Sequence, residues 1–535
     1  MTVNSEQLWQ KILKEGASDE ELKTIRQIAT HSKEGTTVAF GTSGWRGELG
    51  TEFTLRNVQV VAAAIIDMYK NADADLLVHL GVSGFEELAK DGLVLGHDNR
   101  MMGPEFANAI AGVFLEAGVK VYYAGEATTP EFSAAIDALG AAAALNITPS
   151  HNPANYSGLK FNPKDGGPAG SEITTVITNL ANDKMATYKY QELGFSGVER
   201  FDILGAYEKF IKNRGTLDLA KISDFVKSGQ VAIVTDHVHG ATRGRSDRLL
   251  KGATELVTLR TDDNVLFGGI APEPSSKNFV GVKEAIAKTK SPLKLGAIFD
   301  PDGDRIRFFD GVEEIDMNMF GAMSFHFMVV HKKLKGVVAK SVATSNFVNA
   351  IAAGLNVEIE ETAVGFKNFR PFLVKGADPM ALIAFEESDG ISGFNNTIEK
   401  DASFGLLLSL EMMAVTGKRL GEYLAELRAE YGAYFPERSG FEVDKSLVGA
   451  PLVKRVNALE NIAKPGTLVK VGVANKTVSE VLTLDGVKII FEDASWMLVR
   501  PSGTEPKVRI YTECRVESEK AAMFEAAQDL FDQTA

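Results

Sequence analysis

The stretch FDPDGDRIRF sets Asp300, Asp302 and Asp304 at alternate positions behind an apolar run, with Gly303 allowing a turn and Arg305 following. Three carboxylates this close repel one another unless a cation or basic groups offset them. An all-oxygen set suits a hard cation, Mg²⁺ before Ca²⁺. The spacing departs from an EF-hand after Gly303, and a solvated acidic turn is the plainer alternative. In RPSGTEPKVRIY, Ser502, Gly503 and Thr504 offer hydroxyls and backbone N–H groups between Arg500 and Arg509. That is how a phosphate is held, by a nest and guanidinium forks, although a Ser-Gly turn between two strands looks the same. AFEESDGISGF carries Glu386, Glu387 and Ser388 after another apolar run, a set able to grip vicinal sugar hydroxyls or simply to form a charged turn.

NITPSHNPANYSGLKFN, residues 146–162, puts Ser150 beside His151. A serine can carry or accept a phosphoryl group while a metal neutralises the phosphoryl oxygens. Ser-His-Asp hydrolysis is the rival, disfavoured because no G-x-S-x-G elbow is present and adjacent side chains tend to diverge. FGTSGWRG offers Arg46 as a further phosphate contact. GHDNR offers Arg100 and His97, the latter reading equally as structural or functional. His237 and His239 in TDHVHGAT match no ligand spacing and read as structural.

These loops need a scaffold. At 535 residues the chain is long enough for three or four domains. The 45% apolar and 24% charged content is that of a globular protein. No apolar run reaches the ~18–20 residues of a membrane span, and the charged N-terminus lacks a secretion signal. The lone Cys514 excludes an intramolecular disulfide, so a cytoplasmic location is expected. A net charge of −14 argues against nucleic-acid or membrane partners but not against a small anionic substrate.

The first forty residues read as an amphipathic helix and a polar lead. GLVLGHDNR, GPEFANAIAGVFLEAG and VKVYYAG then alternate strand, helix and strand, the grammar of a parallel sheet with crossover helices. AAAALNI reads as a strand or as the end of a helix. The pattern recurs through QVAIVTDHVHG, ELVTLR and KLGAIFDPDGDR, and again through GVVAKSVAT, NVEIEETAVGFKNF and ALIAFEES, suggesting an internal triplication without strict repeats. The last hundred residues read as an antiparallel α+β domain. The expected boundaries are 1–204, 205–318, 319–430 and 431–535. Chemistry is expected at strand ends, where open α/β sheets bind ligands.

Taken together, TPSHNP, DPDGDR, EES and RPSGTEPK stand in an order that strongly resembles the α-D-phosphohexomutase family, over nearly the whole chain. The resemblance implies three similar α/β domains with mixed or parallel sheets and a C-terminal α+β domain around a central cleft. It implies that Ser150 is a phosphoserine and that Asp300, Asp302 and Asp304 bind Mg²⁺, a phosphoserine oxygen completing the site. Lys160 matches the general acid/base; to act as a base near neutral pH, its pKa would have to be lowered by neighbouring cations. His151, Arg46 and Arg305 would stand near the transferring group. Gly365, Phe366, Lys367, Glu386 and Ser388 would meet the sugar. Lys400, Arg500, Ser502, Gly503, Thr504 and Arg509 would contact phosphate.

The implied reaction transfers the group from phosphoserine to a hexose phosphate. The bisphosphate then turns end for end and returns its other phosphate to Ser150. GLKFNPKDGGPAG and GFKNF look more like glucose-specific members, implying interconversion of glucose 1-phosphate and glucose 6-phosphate, with glucose 1,6-bisphosphate as intermediate and activator. A mannose-phosphate or dual-specificity mutase is the alternative; a non-catalytic sugar-phosphate-binding regulator and a Mg²⁺-dependent phosphatase are rival classes. Two positions depart from the family pattern: Phe385 stands where glycine is usual, and EKDA replaces EKDG after Lys400.

Overall fold

The computed structural model describes residues 4–41, 44–502 and 506–534. The chain forms two compact units: residues 1–315, 370–378 and 389–419 in one, and 316–369, 379–388 and 420–535 in the other. No helix among the described residues is long and apolar enough to cross a membrane.

The N-terminal region is two helices where a single one was expected, Ser5–Glu15 and Asp19–His31. Gly16, at φ 85°, ends the first helix; a capping box between Ser18 and Glu21 starts the second. Trp9, Ile12, Ile25 and Ala29 form the buried stripe of this pair.

Among the described residues of the first unit, a mixed sheet runs in the order Phe40–Gly41, Gly44–Glu48, Tyr156–Pro163, Ala143–Ile147, Leu93–His97, Val121–Glu126 and Glu199–Arg200. Leu93–His97 pairs in parallel with both Val121–Glu126 and Ala143–Ile147. All three strands therefore end at one edge, above which lie residues 98–100, 127–129 and 148–151. AAAALNI is thus a strand, because Gly140 in the left-handed region ends the preceding helix, Thr129–Leu139. The sequence then doubles back, and Tyr156–Pro163 pairs antiparallel with Ala143–Ile147, setting Lys160 opposite Asn146.

The second sheet of this unit pairs Val231–Asp236 in parallel with Leu293–Phe299 and Glu255–Leu259. Ile306–Phe309 returns antiparallel to Leu293–Phe299, so residues 300–305 form a tight turn between them. Helix Ala402–Thr416 belongs to the same unit. The N–H of Ala402, its first residue, donates to Gly303 O at 3.2 Å. Ala402, where glycine was the expected pattern, is therefore a buried helix-start residue.

In the second unit, Val337–Ser341 pairs in parallel with Ile359–Thr362 and Ala381–Glu386. Helix Met317–Val330 is buried along nearly its whole length, as its lack of a polar face requires. The C-terminal strands form an antiparallel sheet, in the order Phe435–Glu442, Lys507–Cys514, Trp496–Pro501, Val487–Phe491, Ala474–Leu482 and Leu468–Val471 among the described residues. Helix Lys520–Asp532 covers it with Met523, Ala527 and Phe531. The α+β expectation for this region holds.

Candidate active site

Ser150 is 1% exposed and has φ 56°, the left-handed region that a side chain rarely adopts. Thr148 Oγ1 accepts its N–H at 2.9 Å. The strained turn aims the hydroxyl at the aspartates: Ser150 Oγ donates to Asp300 Oδ2 at 3.0 Å and stands 3.3 Å from His151 Nδ1. A serine 150 residues away in sequence thus meets the first carboxylate of the DPDGDR turn.

That turn is tight. Gly303 has φ 65°, and a Cβ there would stand 2.8 Å from Thr242 and 2.9 Å from Thr128, so glycine is required both by conformation and by space. Asp300 Oδ1 accepts the N–H groups of Asp304 and Arg305 at 3.0 and 3.1 Å. Asp300, Asp302 and Asp304 are fully buried, and one oxygen from each lies within 4.8 Å of the others. Asp302 Oδ1 and Asp304 Oδ1 are buried and accept no hydrogen bond. Buried carboxylate oxygens left in this way carry a large desolvation penalty; a hard cation would remove it, so the trio fits a metal. Burial and the neighbouring Asp304 and Asp302 push the Asp300 carboxyl well up from its ordinary value. Burial also works to raise Asp304, but Lys160, Lys400 and Arg305 overcome it and hold that carboxyl well below the usual range.

The cations come from three parts of the unit. Lys160 Nζ donates to Asp302 Oδ2 at 2.6 Å and to Asp304 Oδ2 at 2.8 Å. Lys400 Nζ is 2.9 Å from Asp304 Oδ2, and Arg305 Nε is 3.6 Å from Asp304 Oδ1. Arg46 Nη1 donates to Asn152 Oδ1 at 2.6 Å, beside the serine turn. Lys160 stands against Asp302 and Asp304, and shares Asp304 Oδ2 with Lys400; burial would lower its pKa, but the two carboxylates outweigh it and raise the pKa. His151 is driven the other way, well below its ordinary value, by Arg305 and then by burial. It is neutral at pH 7.

The sequence missed Thr129 and Glu399. Thr129 Oγ1 donates to Asp302 Oδ2 at 2.6 Å and accepts from Lys160 Nζ at 3.2 Å. The signal for Thr129 was its position, directly behind a parallel strand and at the start of a capped helix. Glu399 is buried, and burial raises its pKa against the pull of Lys160 and Lys400. His97 and His237 are structural: His97 Nδ1 lies 2.6 Å from Asp98 O, and His237 sits between Thr235 and Thr242 at 3.1 and 2.9 Å.

The second unit holds the other predicted loops. Glu386 Oε1 accepts Gly365 N–H at 2.7 Å, tying together the two segments expected to meet the sugar, and Gly365 has φ 126°. Glu387 Oε2 accepts from Ser341 Oγ at 2.9 Å, an internal role; Ser388 at the end of the loop is half-buried. The Phe366 ring is 5% exposed and stacks edge-on against Phe369, so any substrate contact from Phe366 falls to its backbone, while Lys367 is half-exposed. Arg500 Nε pairs with Asp485 Oδ2 at 2.9 Å. Arg509 is exposed on the adjoining strand, opposite Arg500, and Ser502 N–H donates to Lys507 O at 2.9 Å. Gly503 and Thr504 lie outside the described residues.

Profiles of the phosphoglucomutase/phosphomannomutase family match the chain in order: α/β/α domain I over residues 37–187, domain II over 206–313, domain III over 316–431 and the C-terminal domain over 453–529. The chain belongs to the α-D-phosphohexomutase family, whose members are mutases that move phosphate within a sugar. The phosphoglucosamine/phosphogalactosamine mutase of Sulfurisphaera tokodaii is 27% identical over 90% of this chain and 96% of its own. The phosphoglucomutase/phosphomannomutase of Thermococcus kodakarensis is 26% identical over 92% and 98%. A solved structure from Thermus thermophilus, provisionally named a phosphomannomutase, is 27% identical with a TM-score of 0.73, over 93% of this chain and 100% of its own. These relatives differ in the sugars they are named for, so membership fixes the reaction class and leaves the sugar open.

Proposed function

We propose that this chain interconverts glucose 1-phosphate and glucose 6-phosphate through a phosphoserine at Ser150 and a glucose 1,6-bisphosphate intermediate. The observation that carries the reading is the 3.0 Å contact between Ser150 Oγ and Asp300, inside a buried group of three carboxylates and several cations. The proposed assignment puts the phosphoserine loop in 1–204, the metal loop in 205–318, the sugar loop in 319–430 and the phosphate loop in 431–535.

In the first transfer the bond between phosphorus and Ser150 Oγ breaks as one forms to the free sugar hydroxyl, whose proton ends on the departing Ser150 Oγ. In the second, the other phosphate of the bisphosphate returns to Ser150 Oγ. Lys160, beside Asp302 and Asp304, is assigned as the general acid/base that relays this proton, giving one to the oxygen that departs and taking one from the oxygen that attacks. Mg²⁺ held by Asp300, Asp302 and Asp304, with a phosphoserine oxygen, would neutralise charge on the phosphoryl group. Arg46, Arg305 and neutral His151 add donors around it. Glu386 and Ser388, with Lys367 and the backbone of Gly365 and Phe366, are assigned to the sugar hydroxyls. Lys400, Arg500, Ser502, Gly503, Thr504 and Arg509 are assigned to phosphate. The preference for glucose rests on GLKFNPKDGGPAG and GFKNF.

A coupled assay with Mg²⁺ and a trace of bisphosphate, run on glucose 1-phosphate beside mannose 1-phosphate, tests the reading. Faster turnover of glucose 1-phosphate is expected. Faster turnover of mannose 1-phosphate, or of a hexosamine phosphate, would overturn the sugar assignment and keep the reaction.

A further inference from the structure

The Arg100 guanidinium is the centre around which the serine turn is wound. It is 4% exposed and donates to four carbonyl oxygens of one short segment. Nη2 reaches Ser150 O at 2.8 Å and also Asn152 O; Nη1 reaches Pro153 O at 2.6 Å and Tyr156 O at 3.2 Å. Its flat face rests on the Phe267 ring, 4.7 Å from the centroid. Only a planar fork with several fixed donors can satisfy so many converging carbonyls at once.

Residues 98–100 also reach the segment that packs against the aspartate turn. Asn99 Nδ2 donates to His239 O, and two residues on, Ala241 N–H donates to Pro301 O at 2.6 Å. Gly240 packs so closely there that a Cβ would stand 2.5 Å from Pro301 Cα. Asp98 closes the assembly by accepting the Arg100 N–H at 2.9 Å. One buried turn therefore touches both halves of the reacting pair, the backbone of Ser150 directly and the aspartate loop through residues 239–241.

We propose that Arg100 is a positioning residue, which holds Ser150 in its left-handed conformation and, with Asn99, sets the register of the serine hydroxyl against Asp300. The proposal rests on Ser150 as the phosphorylated residue. Arg100 does not meet substrate. Without it, four carbonyls lose a guanidinium donor, Pro153 O keeping the Tyr156 N–H at 3.0 Å, and Ser150, at φ 56°, is left with the Thr148 hydroxyl to hold its turn.

The test uses the full chain with Arg100→Ala and Arg100→Lys. An ångström-scale misplacement of a reacting group costs about 10²-fold in rate, so kcat in Arg100→Ala should fall by about that factor while KM for the hexose phosphate stays within about twofold. Guanidinium ion at tens of millimolar, against urea and KCl controls, should restore at least about tenfold of the loss. Arg100→Lys, which keeps the charge but not the fork, should lie between. Hydrogen exchange over residues 148–156 gives a readout apart from activity: faster exchange there in both variants, with the strand Leu93–His97 unchanged. Should Arg100→Ala fail to fold, Arg100→Lys carries the same readings. If the parent chain never becomes phosphorylated on Ser150, the functional reading falls, and the exchange data alone decide whether Arg100 orders the turn. Unchanged kcat and unchanged protection in a folded Arg100→Lys or Arg100→Ala chain would overturn the proposal.

Discussion

The Phe385 ring is seated on Gly321: a Cβ at position 321 would stand 2.2 Å from Phe385 Cδ2. Phe385 is fully buried at the end of strand Ala381–Glu386, one residue before Glu386, and Gly321 lies inside helix Met317–Val330. The large side chain in the strand and the missing one in the helix are thus complementary. Gly321→Ala should destabilise by roughly 1–3 kcal/mol through overpacking, and by shifting Glu386 it should raise KM for the sugar phosphate more than it lowers kcat. In Gly321→Ala/Phe385→Leu the two losses should be less than additive, measured as a double-mutant cycle of urea midpoints. Strict additivity would mean the two residues do not bear on each other.

Lys160 and the aspartate trio give a second expectation. Lys160→Met removes the proton held against Asp302 and Asp304, so turnover should fall by about 10²–10⁴-fold. It also leaves buried carboxylates without their partner, which destabilises by roughly 3–5 kcal/mol. Added Mg²⁺ should recover much of the lost Tm in Lys160→Met without recovering activity. If Mg²⁺ changed neither the Tm of the parent chain nor that of the variant, the aspartates would not be a metal site.

Acidification should weaken the fold through two buried histidines. Burial, with His331 adding to it, lowers His326 to about 4, and burial with Arg245 and Arg243 lowers His237 to about 3. Each titrates near 6.5 when unfolded. Above that pH both states are neutral and nothing is lost; as pH falls below 6.5 the unfolded chain takes up protons first, so stability drops. For His326 the loss is roughly 2 kcal/mol at pH 5. The Tm should therefore fall between pH 7.5 and pH 5, less steeply in His326→Gln, which can still meet the Tyr423 hydroxyl that lies 2.6 Å from His326 Nδ1. Identical pH slopes for the two chains would contradict this.

Within the second unit, Glu361 joins Lys340 at 3.0 Å and Lys488 at 3.5 Å. Both lysines are buried, and burial with the Lys340 charge pushes Lys488 down to about 7. Glu361→Gln should destabilise by roughly 3 kcal/mol, since it strands buried cations. Adding Lys488→Met to that background should return part of the stability. A further loss in the double variant would show that Lys488 is held by other groups, such as Val342 O, to which it donates at 2.8 Å.

What could be read from the sequence followed from local chemistry. Asp300, Asp302 and Asp304 stood out because alternating carboxylates at a strand end and before an arginine suit a hard cation, and Ser150 because its neighbours match a family motif. The alternation of strands and helices gave the α/β class, and close-spaced strands gave the antiparallel C-terminal sheet. What stayed hidden was non-local. The surroundings of Lys160 are set by carboxylates 142 and 144 residues away, so the sequence could state what a base role would need of its pKa but not which charges meet it. Thr129 is an ordinary helix-start threonine until the fold sets it against Asp302. Phe366 turns inward because Phe369 offers it a ring. Phe385 was visible as a departure, but its partner Gly321 was an unmarked glycine in a run without amphipathic period.

The proposed reaction depends on Ser150 carrying the phosphoryl group in transit. Intact-mass measurement of the chain incubated with Mg²⁺ and glucose 1,6-bisphosphate, followed by a chase with glucose 1-phosphate, tests it most directly. The chain should gain one phosphoryl group, mapped to Ser150, and lose it to sugar during the chase, with no gain in Ser150→Ala. A parent chain that turns over hexose phosphate without ever gaining that mass, or a Ser150→Ala chain that still gains it, would contradict the account.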